Sequence, residues 1–182
     1  MSPLTFTLIY LSIGYLILSS VWLISAFREH KLGIMLNLRL TMIVQAILGM
    51  LNLLSGLLFP LPLTPEIPTR SFGLTLFTLG LMVAVWARLV MKNNWNAPGT
   101  LDTKHLPKIV KVGPFSFSRN PIYLGIILIS FGMAIALHSQ LFILTYFLYI
   151  HLYTEIRNEE KKLQKYFGDE YTKYRLEVPR FI

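Results

Sequence analysis

Residues 108–125 read KIVKVGPFSFSRNPIYLG, and the rest of the chain is arranged around this stretch. It begins as a basic, polar loop, passes through Gly113-Pro114 and reaches Asn120-Pro121. Asn is favoured as a helix N-cap and Pro at the first helical position, so this pair predicts the start of a helix. Three long apolar segments precede the stretch; a short apolar pair and a charged tail follow it.

The composition indicates a membrane protein. Of the 182 residues, 54% are hydrophobic and 14% are charged, whereas a soluble domain has about 25% charged residues. This length suits one domain. We therefore expect a single domain over residues 1–182, with two N-terminal spans in 1–70 and the remaining spans, the polar loop and the C-terminal helix in 71–182.

Five apolar runs predict five transmembrane helices. Residues 4–27, 40–59 and 72–90 can each cross a hydrocarbon core of about 30 Å as a helix. The shorter runs 121–137 and 141–153 flank His138-Ser139-Gln140 and predict a helical hairpin. From residue 155 the pattern is that of an amphipathic helix. The predicted fold is all-α and multi-pass, and we interpret the first run as a retained span rather than a signal peptide.

Basic residues predict the orientation. All Lys and Arg residues except Arg70 fall on one side of the five predicted spans. The positive-inside rule assigns that side to the cytoplasm, which puts the N-terminus outside and the C-terminus inside. The basic residues that give the chain its net charge of +8 lie between the apolar runs. This placement favours membrane lipids rather than nucleic acid as partners.

Two classes of site are not expected. The chain has no Cys, which excludes disulfides, thiolate metal sites and a cysteine nucleophile. Its four His residues show no ligand spacing, so we predict no metal. They are His30, His105, His138 and His151.

The pair Asn120-Pro121 has two interpretations. It is a well-formed helix start at the membrane interface, with Arg119 reaching lipid headgroups. Equally, a helix N-terminus presents free N–H groups and partial positive charge to a carboxylate or phosphate. Gly113 upstream would let the backbone approach such a ligand closely.

Glu159-Glu160 also has two interpretations. On a helix these adjacent carboxylates point about 100° apart. They could form a solvated face neutralised by Arg157 and neighbouring lysines, but their position directly after the last span favours a site. Trp86, Arg88 and the pair Asn94-Trp95 are typical of interfacial belts and are weak signals alone.

Five motifs in order resemble one family. They are Trp-Ala-Arg at 86–88, Asn-Trp at 94–95, Gly-Pro-Phe-x-Phe-x-Arg-Asn-Pro-x-Tyr-x-Gly at 113–125, Glu-Glu-x-x-Leu-x-x-x-Phe-Gly-x-x-Tyr-x-x-Tyr at 159–174 and Val-Pro-Arg-Phe-Ile at 178–182. The pattern resembles the isoprenylcysteine carboxyl methyltransferases and the wider group of membrane phospholipid methyltransferases. It covers residues 86–182; the first two spans match in hydropathy only.

The resemblance implies an S-adenosylmethionine-dependent methyltransferase with its active site on the cytoplasmic face. Its acceptor would be a lipophilic small molecule, a lipid or a lipidated peptide that enters from the bilayer. The host membrane would be the inner membrane of a prokaryote or the endoplasmic reticulum of a eukaryote. The implied cofactor-binding residues are Lys108, Ile109, Val110, Gly113, Phe115, Asn120, Pro121, Tyr123 and Glu159.

The same resemblance suggests catalytic roles. Arg119 and Arg157 would hold an anionic part of a ligand, and Glu160 would accept a proton from an amine or phenol acceptor; a carboxylate acceptor needs no base. Two positions depart from the family. Asn120 stands where His is usual and cannot carry charge, and Glu155 stands where Arg usually meets a carboxylate substrate.

Three alternatives stay open on sequence alone. The first is a phospholipid N-methyltransferase within the same group. The second is an NADPH-dependent membrane reductase of the sterol reductase type, which shares the C-terminal pattern. The third is a non-catalytic membrane protein that keeps the motifs for folding.

Overall fold

The computed structural model describes residues 1–28, 40–63, 65–94 and 108–182. Three residues that the sequence analysis named lie outside these ranges: His30, Trp95 and His105. So do three of the basic residues on which the predicted orientation depends, Lys31, Arg39 and Lys104.

Six α-helices make up the described structure. They are α1 (Pro3–Arg28), α2 (Leu40–Leu58), α3 (Glu66–Met91), α4 (Pro121–Ala136), α5 (Leu144–Phe167) and α6 (Asp169–Glu177). Short 3₁₀ helices occupy Lys92–Asn94, Gly113–Ser116 and Gln140–Ile143. The described ranges contain no β-strand, so the all-helical prediction is confirmed.

Among the described residues, two helices are long and apolar enough to cross a membrane. They lie at Pro3–Ser25 within α1 and at Glu66–Met91, both with a mean hydropathy of 1.9. Shorter apolar stretches occur at Gly49–Leu58 within α2 and at Pro121–Ala136. The five-span count and the orientation stay predictions.

The contact between α3 and α4 is unusually close because small residues face each other. A Cβ added to Gly80 would lie 2.7 Å from the backbone oxygen of Gly125 and from the nitrogen of Ile129. A Cβ on Gly125 would lie 2.7 Å from Ala84 Cβ. Further along, Gly73 meets Ala136, so the two helices are antiparallel. Small residues that allow backbones to approach are typical of helix packing in membranes.

The other helices pack around this pair. Helix α1 runs in the same direction as α3, because Tyr10 hydrogen-bonds Thr78 at 2.7 Å and Trp22, further along α1, packs against the cluster that contains Ala87 near the end of α3. Helix α5 packs against the first half of α4. Its buried Leu152 and Ile156 share one hydrophobic cluster with residues of α4 that include Ile122.

Two predicted boundaries were wrong. Helix α3 begins at Glu66 rather than near residue 72 and contains Pro68 in its first turn. This proline costs no helical hydrogen bond, because first-turn N–H groups have no intrahelical partner. Helix α5 continues through residue 155 without a break. Its buried stripe runs on from Leu152 to Ile156, so packing continues although the exposed face becomes charged.

Candidate active site

A cavity lies where α3 ends and α4 begins, between the 108–120 loop, α5 and α6. It gathers nine of the residues that the sequence singled out: Lys108, Ile109, Val110, Phe115, Arg119, Asn120, Pro121, Tyr123 and Glu159. Residues separated by up to 51 positions in the chain, from Lys108 to Glu159, therefore meet at one site.

The 108–120 loop is shaped by Gly113 and held by Tyr174. Gly113 has a φ of 62°, a left-handed conformation that glycine adopts without steric cost. Its Cα faces Val90 and Trp86 of α3. The hydroxyl of Tyr174 donates to the carbonyl oxygen of Phe115 at 2.7 Å. Phe115 is thereby fixed in the cavity wall.

Asn120 begins α4 without capping it through its side chain. Pro121 occupies the first helical position, as predicted, and Asn120 is the N-cap residue. Its Nδ2 donates to Oε1 of Glu160 at 3.1 Å and to the carbonyl oxygen of Arg180 at 3.2 Å. The amide therefore joins α4 to α5 and to the C-terminal segment, which uses the side chain that would otherwise cap the helix.

Glu159 is the carboxylate that lines the cavity. It is half-buried, and the hydroxyl of Tyr123 donates to its Oε1 at 2.8 Å. This bond links the first turn of α4 to α5. A negative charge at this point suits a cationic or hydrogen-donating part of a ligand.

Glu160 faces away from the cavity and is enclosed by donors. Its side chain is 9% exposed and lies 2.8 Å from Nη2 of Arg180 and 3.3 Å from Nη1 of Arg119. The second contact is an ion pair without hydrogen-bond geometry. Within the described residues, the buried Nε and Nη1 of Arg119 have no hydrogen-bond partner.

The C-terminal segment closes one side of the site. The carbonyl oxygen of Pro179 accepts from the backbone N–H of Arg119 at 3.0 Å. Phe181 packs against the hydrophobic cluster that contains Phe115 and Ile122. The last residues of the chain thus support the start of α4.

Two tyrosines of α6 form the remaining wall. Tyr171 and Tyr174 are almost fully buried and line the cavity. Burial, with the nearby Glu160 charge, raises the pKa of Tyr171 to about 12. Burial also raises the pKa of Tyr174 well above its usual range. Both rings therefore remain protonated donors at physiological pH.

Three predicted site residues do not line the cavity. Gly113 supports the loop from behind, and Glu160 holds the two arginines and Asn120. Arg157 is exposed and lies in a separate basic depression on another face of α5. The geometry thus gives no support to Glu160 as a proton acceptor or to Arg157 as a ligand contact in this cavity.

Several lining residues were not assigned to the site by the sequence analysis, although some of them belong to its motifs. They are Met91, Asn94, Ile122, Leu163, Phe167, Tyr171 and Tyr174. The Tyr-x-x-Tyr spacing of α6 was part of the motif pattern and could have indicated an inward face. Asn94 is buried, and its Oδ1 has no hydrogen-bond partner within the described ranges.

The family model for phospholipid methyltransferases matches residues 68–170, which is more than half of the chain. The chain belongs to the phospholipid methyltransferase family. It is therefore a membrane methyltransferase, and the predicted membership of this wider group is confirmed. A comparison with curated proteins finds no match. The matched residues of this methyltransferase include nearly all of α3, the 108–120 loop, α4 and α5, whereas most of α6 and the C-terminal segment lie beyond them.

Proposed function

We propose that the protein transfers a methyl group from S-adenosylmethionine to a lipophilic acceptor. The observation that carries this proposal is the cavity at the start of α4. There the Glu159 carboxylate, the helix N-terminus and aromatic side chains converge at one end of an apolar bundle.

The donor set of the cavity suits S-adenosylmethionine. The cofactor carries an ammonium, a carboxylate, a sulfonium and an adenine ring. Glu159, oriented by Tyr123, would hold the ammonium, and the N-terminus of α4 beside Arg119 would hold the carboxylate. The hydrogen-bonding capacity left on buried Arg119 Nε and Asn94 Oδ1 fits a polar ligand. The backbone at 108–110 and the ring of Phe115 would lie along the adenosine.

Bound S-adenosylmethionine would supply a methyl group on an electrophilic sulfonium. The chain's own contribution is then alignment and exclusion of water. The apolar side chains of Ile109, Ile122 and Leu163 line the wall and would help to exclude water. The Tyr123–Glu159 hydrogen bond fixes the carboxylate before any ligand enters, so little reorganisation remains for the reaction.

A phospholipid amine suits this chain better than a prenylcysteine carboxylate. Glu155 stands one turn before Glu159 on α5, and both carboxylates are half-buried. A negative charge at Glu155, where the resembling enzymes carry an Arg, would favour an amine acceptor over a carboxylate. Glu160 is held by Arg180 and Asn120, so the ammonium form of the acceptor would release its proton to water before the free amine attacks the methyl group. The family match adds nothing in favour of the reductase alternative.

The membrane arrangement that we propose has five spans and an active site on the cytoplasmic face. Apart from Arg70, the described Lys and Arg residues lie toward the end of the bundle that holds the cavity. By the positive-inside rule this end is cytoplasmic. An acceptor would then reach the cavity from the inner leaflet.

A transfer assay tests the proposed function. Detergent-purified protein would be incubated with methyl-labelled S-adenosylmethionine and either a dispersed phosphatidylethanolamine or a farnesylated cysteine. We expect label in the phosphatidylethanolamine and at least a tenfold loss with Glu159→Ala. Label in the farnesylated cysteine alone would overturn the amine assignment but keep methyl transfer. Transfer to neither, in a folded sample that also fails to bind S-adenosylhomocysteine, would contradict the proposal.

A further inference from the structure

One face of α5 carries a line of tyrosines. Tyr146, Tyr149 and Tyr153 follow at three- and four-residue intervals, and their ring centroids are 6.4 and 6.1 Å apart in turn. Phe147 and Ile150 beside them are 59% and 45% exposed. An exposed apolar surface on a helix of a membrane protein indicates contact with lipid chains.

Beyond Tyr153 the exposed surface of α5 becomes basic and winds around the helix, because each four-residue step turns by about 40°. Arg157, Lys161 and Lys165 continue at four-residue steps and are exposed. Together with Arg175 and Arg180 they line a depression. Within the described ranges, Arg157, Lys161, Lys165 and Arg175 have no carboxylate within 4.0 Å.

The one acidic residue among those that line this depression does not neutralise it. Glu160 already pairs with Arg119 and Arg180, so its charge is compensated by the buried cluster behind it. The depression therefore keeps the positive charge of its exposed cations. Such a surface attracts phosphate groups.

Arg180 marks the change from the aromatic to the basic part of this surface. Its guanidinium lies 5.0 Å from the ring centroid of Tyr153, and its Nη1 donates to the Tyr153 hydroxyl at 2.7 Å. This point is level with the start of α4, because Glu160 contacts both Arg180 and Asn120. Tyrosine and arginine at the end of an apolar helix segment are typical of a membrane interface.

We propose that this surface of α5 binds an anionic phospholipid, with the lipid phosphate in the basic depression and an acyl chain along the tyrosine line. Charge complementarity decides the class of lipid, since a zwitterionic headgroup brings a compensating positive charge toward Arg157 and Lys161. The site lies on a different face of α5 from the cavity, and it does not depend on the proposed methyl transfer.

Native mass spectrometry of the full-length protein in detergent tests this site. Dioleoyl phosphatidylglycerol and dioleoyl phosphatidylcholine would be titrated separately. We expect tighter binding of phosphatidylglycerol, and a loss of about tenfold or more in Lys161→Gln/Lys165→Gln, since each basic residue near an anionic lipid contributes about fivefold. The matched control is Lys162→Gln/Lys173→Gln, which removes two exposed lysines outside the depression.

Three results would overturn the proposal. One is equal affinity for the two lipids. Another is an equal loss in both double variants, which would mean that net charge alone decides binding. The third is full displacement of phosphatidylglycerol by inorganic phosphate at the same concentration, which would make the depression a site for soluble anions. Retained binding in the control with loss in the Lys161/Lys165 variant supports the site.

Discussion

The hydroxyl of Tyr123 donates a hydrogen bond to Oε1 of Glu159 at 2.8 Å and thereby joins the first turn of α4 to α5 at the wall of the cavity. Tyr123→Phe removes this donor and keeps the ring. We expect a stability loss of about 1 kcal/mol and weaker binding of S-adenosylhomocysteine, because Glu159 is no longer oriented. Thermal unfolding and calorimetry measure the two effects. The control Tyr153→Phe removes a hydroxyl outside the cavity; an equal affinity loss there would refute the orienting role.

Because small residues hold α3 and α4 close together, adding a single methyl group at their contact should destabilise the protein. Gly80→Ala places a methyl group 2.7 Å from backbone atoms of α4, so the helices must separate. We expect destabilisation by about 1–3 kcal/mol despite the better helix propensity of alanine. Gly49→Ala is the matched control, because its nearest neighbour is Met133 Cε at 3.9 Å. Thermal unfolding in detergent should separate the two; equal melting temperatures would contradict the close packing.

The pair of Glu160 and Arg180 should behave as a coupled unit. Arg180→Ala removes three hydrogen bonds to the Glu160 carboxylate, and we expect a loss of roughly 2 kcal/mol. Adding Glu160→Gln then removes a carboxylate that has already lost one of its two charged partners, Arg180, and keeps only Arg119. The double variant should therefore lose less stability than the sum of the two single variants. A strictly additive result in thermal unfolding would mean that the two side chains do not interact.

Alkaline unfolding should depend on Tyr171. Burial raises its pKa from 10.0 to about 12, so between these pH values the unfolded chain releases a proton that the folded protein retains. Stability therefore falls as pH rises from 10 to about 12. Tyr171→Phe should flatten this fall, measured by thermal unfolding across the window. Tyr166→Phe, at an exposed ring, is the control; an identical slope in both variants would argue against a buried, protonated Tyr171.

Much of the fold could be predicted from local signals. Long apolar runs predicted α1, α2 and α3, and the Asn120-Pro121 pair predicted the start of α4. Both signals are local, because they depend only on neighbouring residues in the chain. The continuity of α5 could not be predicted in this way. It depends on Ile156 packing against residues of α4 that are distant in the chain.

The sequence predicted which residues form the candidate site better than it predicted the role of each one. The order of the motifs assigned Lys108, Asn120 and Glu159 to one site. However, adjacent carboxylates look alike in sequence, and only packing decides that Glu159 lines the cavity while Glu160 pairs with Arg180. Arg157 was misplaced for the same reason, since its direction depends on how α5 rotates against α4.

Ligand binding measured by isothermal titration calorimetry tests the central claim most directly. Detergent-purified protein would be titrated with S-adenosylmethionine, S-adenosylhomocysteine and NADPH, with Glu159→Ala and the cavity-external Lys162→Ala as paired variants. We predict micromolar binding of both adenosyl ligands, lost in Glu159→Ala and kept in Lys162→Ala, with no heat from NADPH. Binding of NADPH alone, or adenosyl binding that is unchanged in Glu159→Ala, would contradict the account.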